Sequence, residues 1–161
     1  MMKILVLICF SMFFLAGLSH AQKVNLLTVD QLESRFANGN DTVYIVNFWA
    51  TWCAPCVAEM PNFEKLQSTY QDQPLKVLMV SVDFKSKLES AVKPFVKKKN
   101  LQNEIFLLNE KSQQVYIGKI SKDWSGALPT TLIVNRTKNI RKIYEQEFTY
   151  SELEKVYQSS K

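Results

Sequence analysis

Apolar residues fall along the chain in two kinds of run, and the contrast predicts strands alternating with helices. Thr42 to Trp49 is almost continuously apolar and β-branched, the pattern of a strand buried on both faces. Leu75 to Asp83 is a second run of this kind, and Ile105 to Leu108 a shorter one. Thr130 to Val134 and Ile140 to Tyr144 read as paired strands around a turn at 135–139, and Val24 to Leu27 suits a sheet edge. Helical spacing fills the gaps. Thr28 or Asp30 caps a helix through Phe36 that stops at Asn38-Gly39-Asn40. Another starts at the cysteines and continues through Glu64 and Leu66 to Tyr70, with Pro61 expected to kink it. Ser86 to Lys99 carries Leu88, Val92, Phe95 and Val96 on one face and bends at Pro94; Gln113 to Ile120 and Ser151 to Tyr157 are short helices. Strands alternating with helices imply an α/β sandwich, a mixed sheet with helices on both faces.

The first residues do not belong to that pattern. Lys3 precedes an apolar run of fifteen residues, Ile4 to Leu18, which ends in Ser19-His20-Ala21. This is the layout of a signal peptide over 1–21, with the mature domain expected over 22–161. An uncleaved membrane anchor is the alternative, although fifteen residues fall short of the roughly 20 that span a bilayer. Cleavage changes the chemistry available. Of three cysteines, Cys9 leaves with the signal, and so does the single histidine, His20. The mature chain then holds only Cys53 and Cys56, in an extracytoplasmic compartment where disulfides persist.

Composition adds less. With 161 residues, 47% of them hydrophobic and 22% charged, the chain is long enough for one domain with a real core and needs no disulfide staples. Its net charge of +5 becomes +4 without Lys3, 19 basic residues against 15 acidic. That excess is mild, and Lys97-Lys98-Lys99 reads as a solvated helix face rather than a nucleic-acid patch.

Cys53-Ala54-Pro55-Cys56 is the candidate chemistry. A C-x-x-C pair in an α/β setting reads as a thioredoxin-like redox motif. Cys53 falls at the start of a helix, where free N–H groups and the helix dipole stabilise a thiolate. Cys56, one turn later, can attack a mixed disulfide on Cys53 and release the product. Pro55 suits a first helical turn, which lacks a use for its missing N–H. A structural disulfide closing so small a loop contributes little, and a zinc site would need ligands beyond two thiolates. Two inert buried cysteines remain as the alternative.

The run Val46-Asn47-Phe48-Trp49-Ala50-Thr51-Trp52-Cys53-Ala54-Pro55-Cys56, followed by Glu59 and Pro61, resembles the TlpA branch of the thioredoxin superfamily. Gly126-Ala127-Leu128-Pro129-Thr130-Thr131 resembles that family's cis-proline loop, so the likeness extends from about Thr42 to Val134. It implies a thioredoxin-like fold with one inserted helix and strand, which the segment Leu75 to Asn109 is long enough to supply. It implies a cis Leu128–Pro129 bond facing the cysteines, with nearby backbone pairing to an extended substrate segment. Trp52, Ala54, Pro55, Leu128 and Pro129 would then contact substrate, Trp49 would be core, and Trp124 is a candidate for the same docking surface.

Two departures stand out. Thioredoxin has a buried aspartate where this chain has Asn47, and an amide cannot take the proton of the second cysteine. Glu59, three residues after Cys56 and on the same helix face, is the substitute, as the TlpA-like resemblance also implies. The start of the mature chain reads as strand plus helix where those relatives usually begin with a hairpin.

The resemblance implies an extracytoplasmic disulfide reductase, often serving cytochrome c maturation, with no cofactor beyond the Cys53–Cys56 couple and no metal. Its partners would be disulfide-bearing proteins and a membrane thiol electron donor. A disulfide-donating oxidase is the alternative; the Ala54-Pro55 dipeptide lacks the histidine that strong oxidants of this fold carry. A copper or haem chaperone would also want a histidine, and a thiol peroxidase would want a proline and spacing absent around Thr51.

Overall fold

The long apolar run becomes the centre of a sheet. The computed structural model describes residues 23–161; the expected signal segment, its cleavage after Ala21, Cys9 and His20 lie outside the described residues. In chain order the elements are β1 (Val24–Leu27), α1 (Val29–Asn38), β2 (Val43–Trp49), α2 (Ala54–Thr69), β3 (Leu75–Ser81), α3 (Lys93–Lys99), β4 (Glu104–Leu108), α4 (Gln113–Ile120), β5 (Thr130–Asn135), β6 (Ile140–Tyr144) and α5 (Tyr150–Ser159). The six strands lie in the order β1-β4-β3-β2-β5-β6. The first four are parallel to one another; β5 runs antiparallel to β2, and β6 antiparallel to β5.

Side-chain alternation explains why β2 is apolar throughout. Ile45 and Trp49 pack on one face with Met60 and Phe63 of α2 and Leu153 and Tyr157 of α5. Tyr44, Val46 and Phe48 pack on the other with Leu32 and Phe36 of α1. A strand with helices on both faces has no solvent side, so all seven of its residues are buried. Asn47 shares the α2 face by the same period of two.

α1 begins where Thr28 forms a capping box with Gln31, the first of the two caps read from the sequence. α2 continues through Pro61 rather than stopping there. Between β3 and β4 the expected single helix over 86–99 is instead three local forms. A 3-10 turn covers Lys85–Lys87, a π turn Leu88–Val92, and α-helix begins only at Lys93. Pro94 accounts for the change: its ring would clash with the carbonyl of Ser90 in a continuous α-helix, and the wider turn before it relieves this. Val92 and Val96 still reach the core, while Lys97, Lys98 and Lys99 stay exposed. Together with β4 this segment supplies the expected helix and strand inserted before the proline loop. Among the described residues, no helix is long and apolar enough to cross a membrane.

Candidate active site

The parallel strands deliver the redox pair. β2 ends at Trp49, and the turn that follows carries Cys53 to the N-cap of α2. Cys53 and Cys56 are joined by a disulfide with their Cα atoms 5.3 Å apart. Cys53 Sγ accepts a hydrogen bond from Cys56 N at 3.3 Å, so a backbone N–H at the helix start points at the outer sulfur. Cys53 is 5% exposed and Cys56 fully buried, which leaves Cys53 the sulfur nearer solvent. Trp52, directly before it, is 71% exposed. Ala54 is exposed and Pro55 half-buried in the first turn.

Glu59 lies one turn beyond Cys56 and is buried at 2% exposure. Its Oε1 accepts from Asn47 Nδ2 at 2.8 Å, and its Oε2 from Phe148 N at 2.8 Å. Burial pushes its carboxyl up to about 7, against the lowering effect of those two donors and with a smaller push from Glu147. Asn47 Nδ2 also donates to Thr131 Oγ1 at 3.3 Å, and Asn47 Oδ1 is buried without a hydrogen-bond partner.

The third component arrives from the antiparallel side of the sheet. The Leu128–Pro129 bond, just before β5, is cis. Leu128 packs against the cluster that contains both cysteines, and Pro129 is buried.

This site sits in a recognisable sequence context, because the AhpC/TSA family profile matches residues 19–143. The chain belongs to the AhpC/TSA family of thioredoxin-like proteins. It is 34% identical over 137 residues to the thioredoxin-like protein YneN of Bacillus subtilis, covering 83% of this chain and 74% of that protein. It is 30% identical over 129 residues to the thiol-disulfide oxidoreductase ResA of Geobacillus thermodenitrificans, covering 80% of this chain and 69% of that one. A thiol:disulfide interchange protein of Chlorobium tepidum superposes with a TM-score of 0.63 at 20% identity, covering 77% of this chain and 83% of that chain. The thioredoxin-like family and fold agree with the resemblance read from the active-site run.

Three features of this AhpC/TSA member were not read from its sequence. Asp83, buried just beyond β3, accepts from Thr51 N at 2.9 Å, from Thr51 Oγ1 at 2.7 Å and from Ser81 Oγ at 2.8 Å. It thereby pins the turn that presents Trp52 and Cys53. Glu145 holds the proline loop by accepting from the backbone N–H of Ser125 at 2.9 Å and from its hydroxyl. Trp124 is not on a docking surface: it is buried against Phe48, and its indole N–H donates to Ala127 O at 3.0 Å, bracing the loop from behind. Trp49 is core, as expected, with its ring 5.3 Å from that of Phe95. The only sequence signal for Asp83 was an acid ending an apolar run, which also fits an ordinary strand end.

Proposed function

We propose that this chain, a thiol–disulfide oxidoreductase, reduces disulfides of exported proteins outside the cytoplasm. The observation that carries the reading is the pair of sulfurs at the start of α2, with the outer one at the helix N-cap and the buried carboxyl of Glu59 one turn beyond the inner one. Thiolate Cys53 attacks a substrate disulfide, forming a Cys53–substrate bond while the other substrate sulfur leaves with the electron pair. Cys56 then attacks Cys53 Sγ, the substrate's second sulfur leaves as thiolate, and the Cys53–Cys56 disulfide closes. Two electrons have passed to substrate, through the two sulfurs and with no further cofactor.

Glu59 takes the Cys56 proton in the second step. A carboxyl held near 7 is matched to that task at neutral pH. Asn47 suits it in both states: its NH₂ donates to the carboxylate, and turning the amide would offer the unpartnered Oδ1 to a protonated Glu59. An aspartate there would place two acids together. Leu128 and Pro129, with Trp52, Ala54 and Pro55, form the surface on which the substrate segment lies.

The N-terminal pattern of Lys3, Ile4 to Leu18 and Ala21 supports export, by cleavage or as an anchor. A membrane thiol donor would regenerate the dithiol, and the TlpA-like resemblance supports substrates in cytochrome c maturation. Histidine is absent from Ala54-Pro55, which supports reduction over oxidation.

The test is to replace Cys56 by Ser, so that a mixed disulfide on Cys53 cannot resolve, and to identify what is captured in cells. Covalent capture of exported cysteine-containing proteins is expected, lost in Cys53→Ser. A Cys53 that stays thiol-reactive yet captures no protein contradicts the reading.

A further inference from the structure

Beside the redox pair, at the carboxyl ends of β2, β3 and β4, a recess of about 240 Å³ opens between Trp52, the loop after β3, the start of α4 and Leu128. Such strand ends are where open α/β sheets take ligands.

The walls are apolar and lack internal cover. Phe84 is 81% exposed and lines the recess with exposed Trp52, and half-buried Tyr116 and Leu128 add to the apolar lining. Adjacent exposed aromatic rings around a concavity mark a contact surface rather than scattered apolar residues.

The rim is basic. Lys85 and Lys111 border the recess, both exposed, and neither forms an ion pair among the described residues. Asp83 and Glu110 also line the recess, but Asp83 is buried and accepts from Thr51 and Ser81, and half-buried Glu110 accepts the backbone N–H of Val29 at 2.8 Å, which leaves the lysines as its exposed charges. α4 adds to the same sign, since it begins on the recess at Gln113.

We infer that this recess selects substrates whose reactive cysteine has an apolar residue two positions and an acidic residue four positions away. The inference rests on the oxidoreductase reading above and specifies its substrate. Those positions lie roughly 7 and 13 Å from the cysteine along an extended segment and share one of its faces, so a substrate sulfur on Cys53 brings both side chains over its neighbour Trp52 and the recess. The apolar side chain covers Phe84 and Trp52; the carboxylate meets Lys85 and Lys111. Acidic substrates are favoured by charge complementarity, chiefly in their rate of capture.

The test uses the full reduced chain and hexapeptides carrying one cysteine as a thionitrobenzoate mixed disulfide, flanked at those positions by Leu-Glu, Leu-Lys or Gly-Glu. Cys53 thiolate joins the peptide sulfur and coloured thionitrobenzoate leaves with the electron pair. Each rate is divided by that of the same peptide with glutathione, which removes differences in intrinsic reactivity. The Leu-Glu peptide is expected to react about tenfold faster than either other, and its lead over Leu-Lys to shrink as salt is raised. In Lys85→Glu/Lys111→Glu the order of Leu-Glu and Leu-Lys reverses, and in Phe84→Ser the lead over Gly-Glu disappears. Normalised rates within twofold of each other in the unaltered chain, or an order retained in the charge-reversed variant, overturn the recess while leaving the oxidoreductase reading intact. Failure to release thionitrobenzoate from any peptide overturns both.

Discussion

Glu59 is held between two opposing influences: burial, which favours its proton, and two N–H donors, which favour its charge. Burial prevails, and the folded state binds the proton more tightly than the unfolded chain between about 4.5 and about 7. The associated stability is therefore present at low pH and lost as pH rises through about 7. Glu59→Gln should remove that decline, measured by denaturant unfolding across pH 4 to 8. It should also slow the resolving step about a hundredfold at pH 8, read by rapid quench of the mixed disulfide. Asp83 acts on the same machinery by position. Asp83→Ala leaves two Thr51 donors and the Ser81 hydroxyl without their acceptor, and should cost about 2–4 kcal/mol in denaturant unfolding. The two acids differ in legibility for a physical reason. Glu59 is three residues from Cys56, and helix periodicity puts that spacing on one face. Asp83 is 32 residues from Thr51, and only strand pairing in the folded sheet joins them.

At the scale of elements, periodicity was a good guide wherever one local rule governed a segment. β2 and β3 read as buried strands because helices cover both their faces, and α1 read as a helix because Thr28 supplies its cap. Thr28→Ala should lower stability by about 1 kcal/mol in thermal or denaturant unfolding, through the lost capping box. Phe63→Ala, which empties a fully buried site in α2 beneath the redox pair, should cost about 3–5 kcal/mol by the same measurement. The stretch 85–99 resisted reading for the opposite reason. Its apolar spacing is helical, but Pro94 forbids one uniform helix, and which turns widen or tighten depends on packing against the core. Trp124 shows the same limit, since an aromatic next to a functional loop has the same signature in front of it or behind it.

For the whole molecule, the mixed sheet with helices on both faces followed from alternating strands and helices, and the thioredoxin-like family followed from the active-site run. The strand order did not, because β1 pairs with β4, some eighty residues distant, by parallel contacts that leave no short-range mark. The recess beside Trp52 was equally hidden, being assembled from loops after three strands and the proline loop. What remains is the direction in which the assembled site moves electrons, and the midpoint potential of the Cys53–Cys56 couple reads it directly. Equilibration against glutathione, with the two redox states separated after thiol trapping, should give a value nearer the roughly −270 mV of thioredoxin. A value near −120 mV, where strong disulfide donors of this fold lie, would contradict the assignment as a reductase.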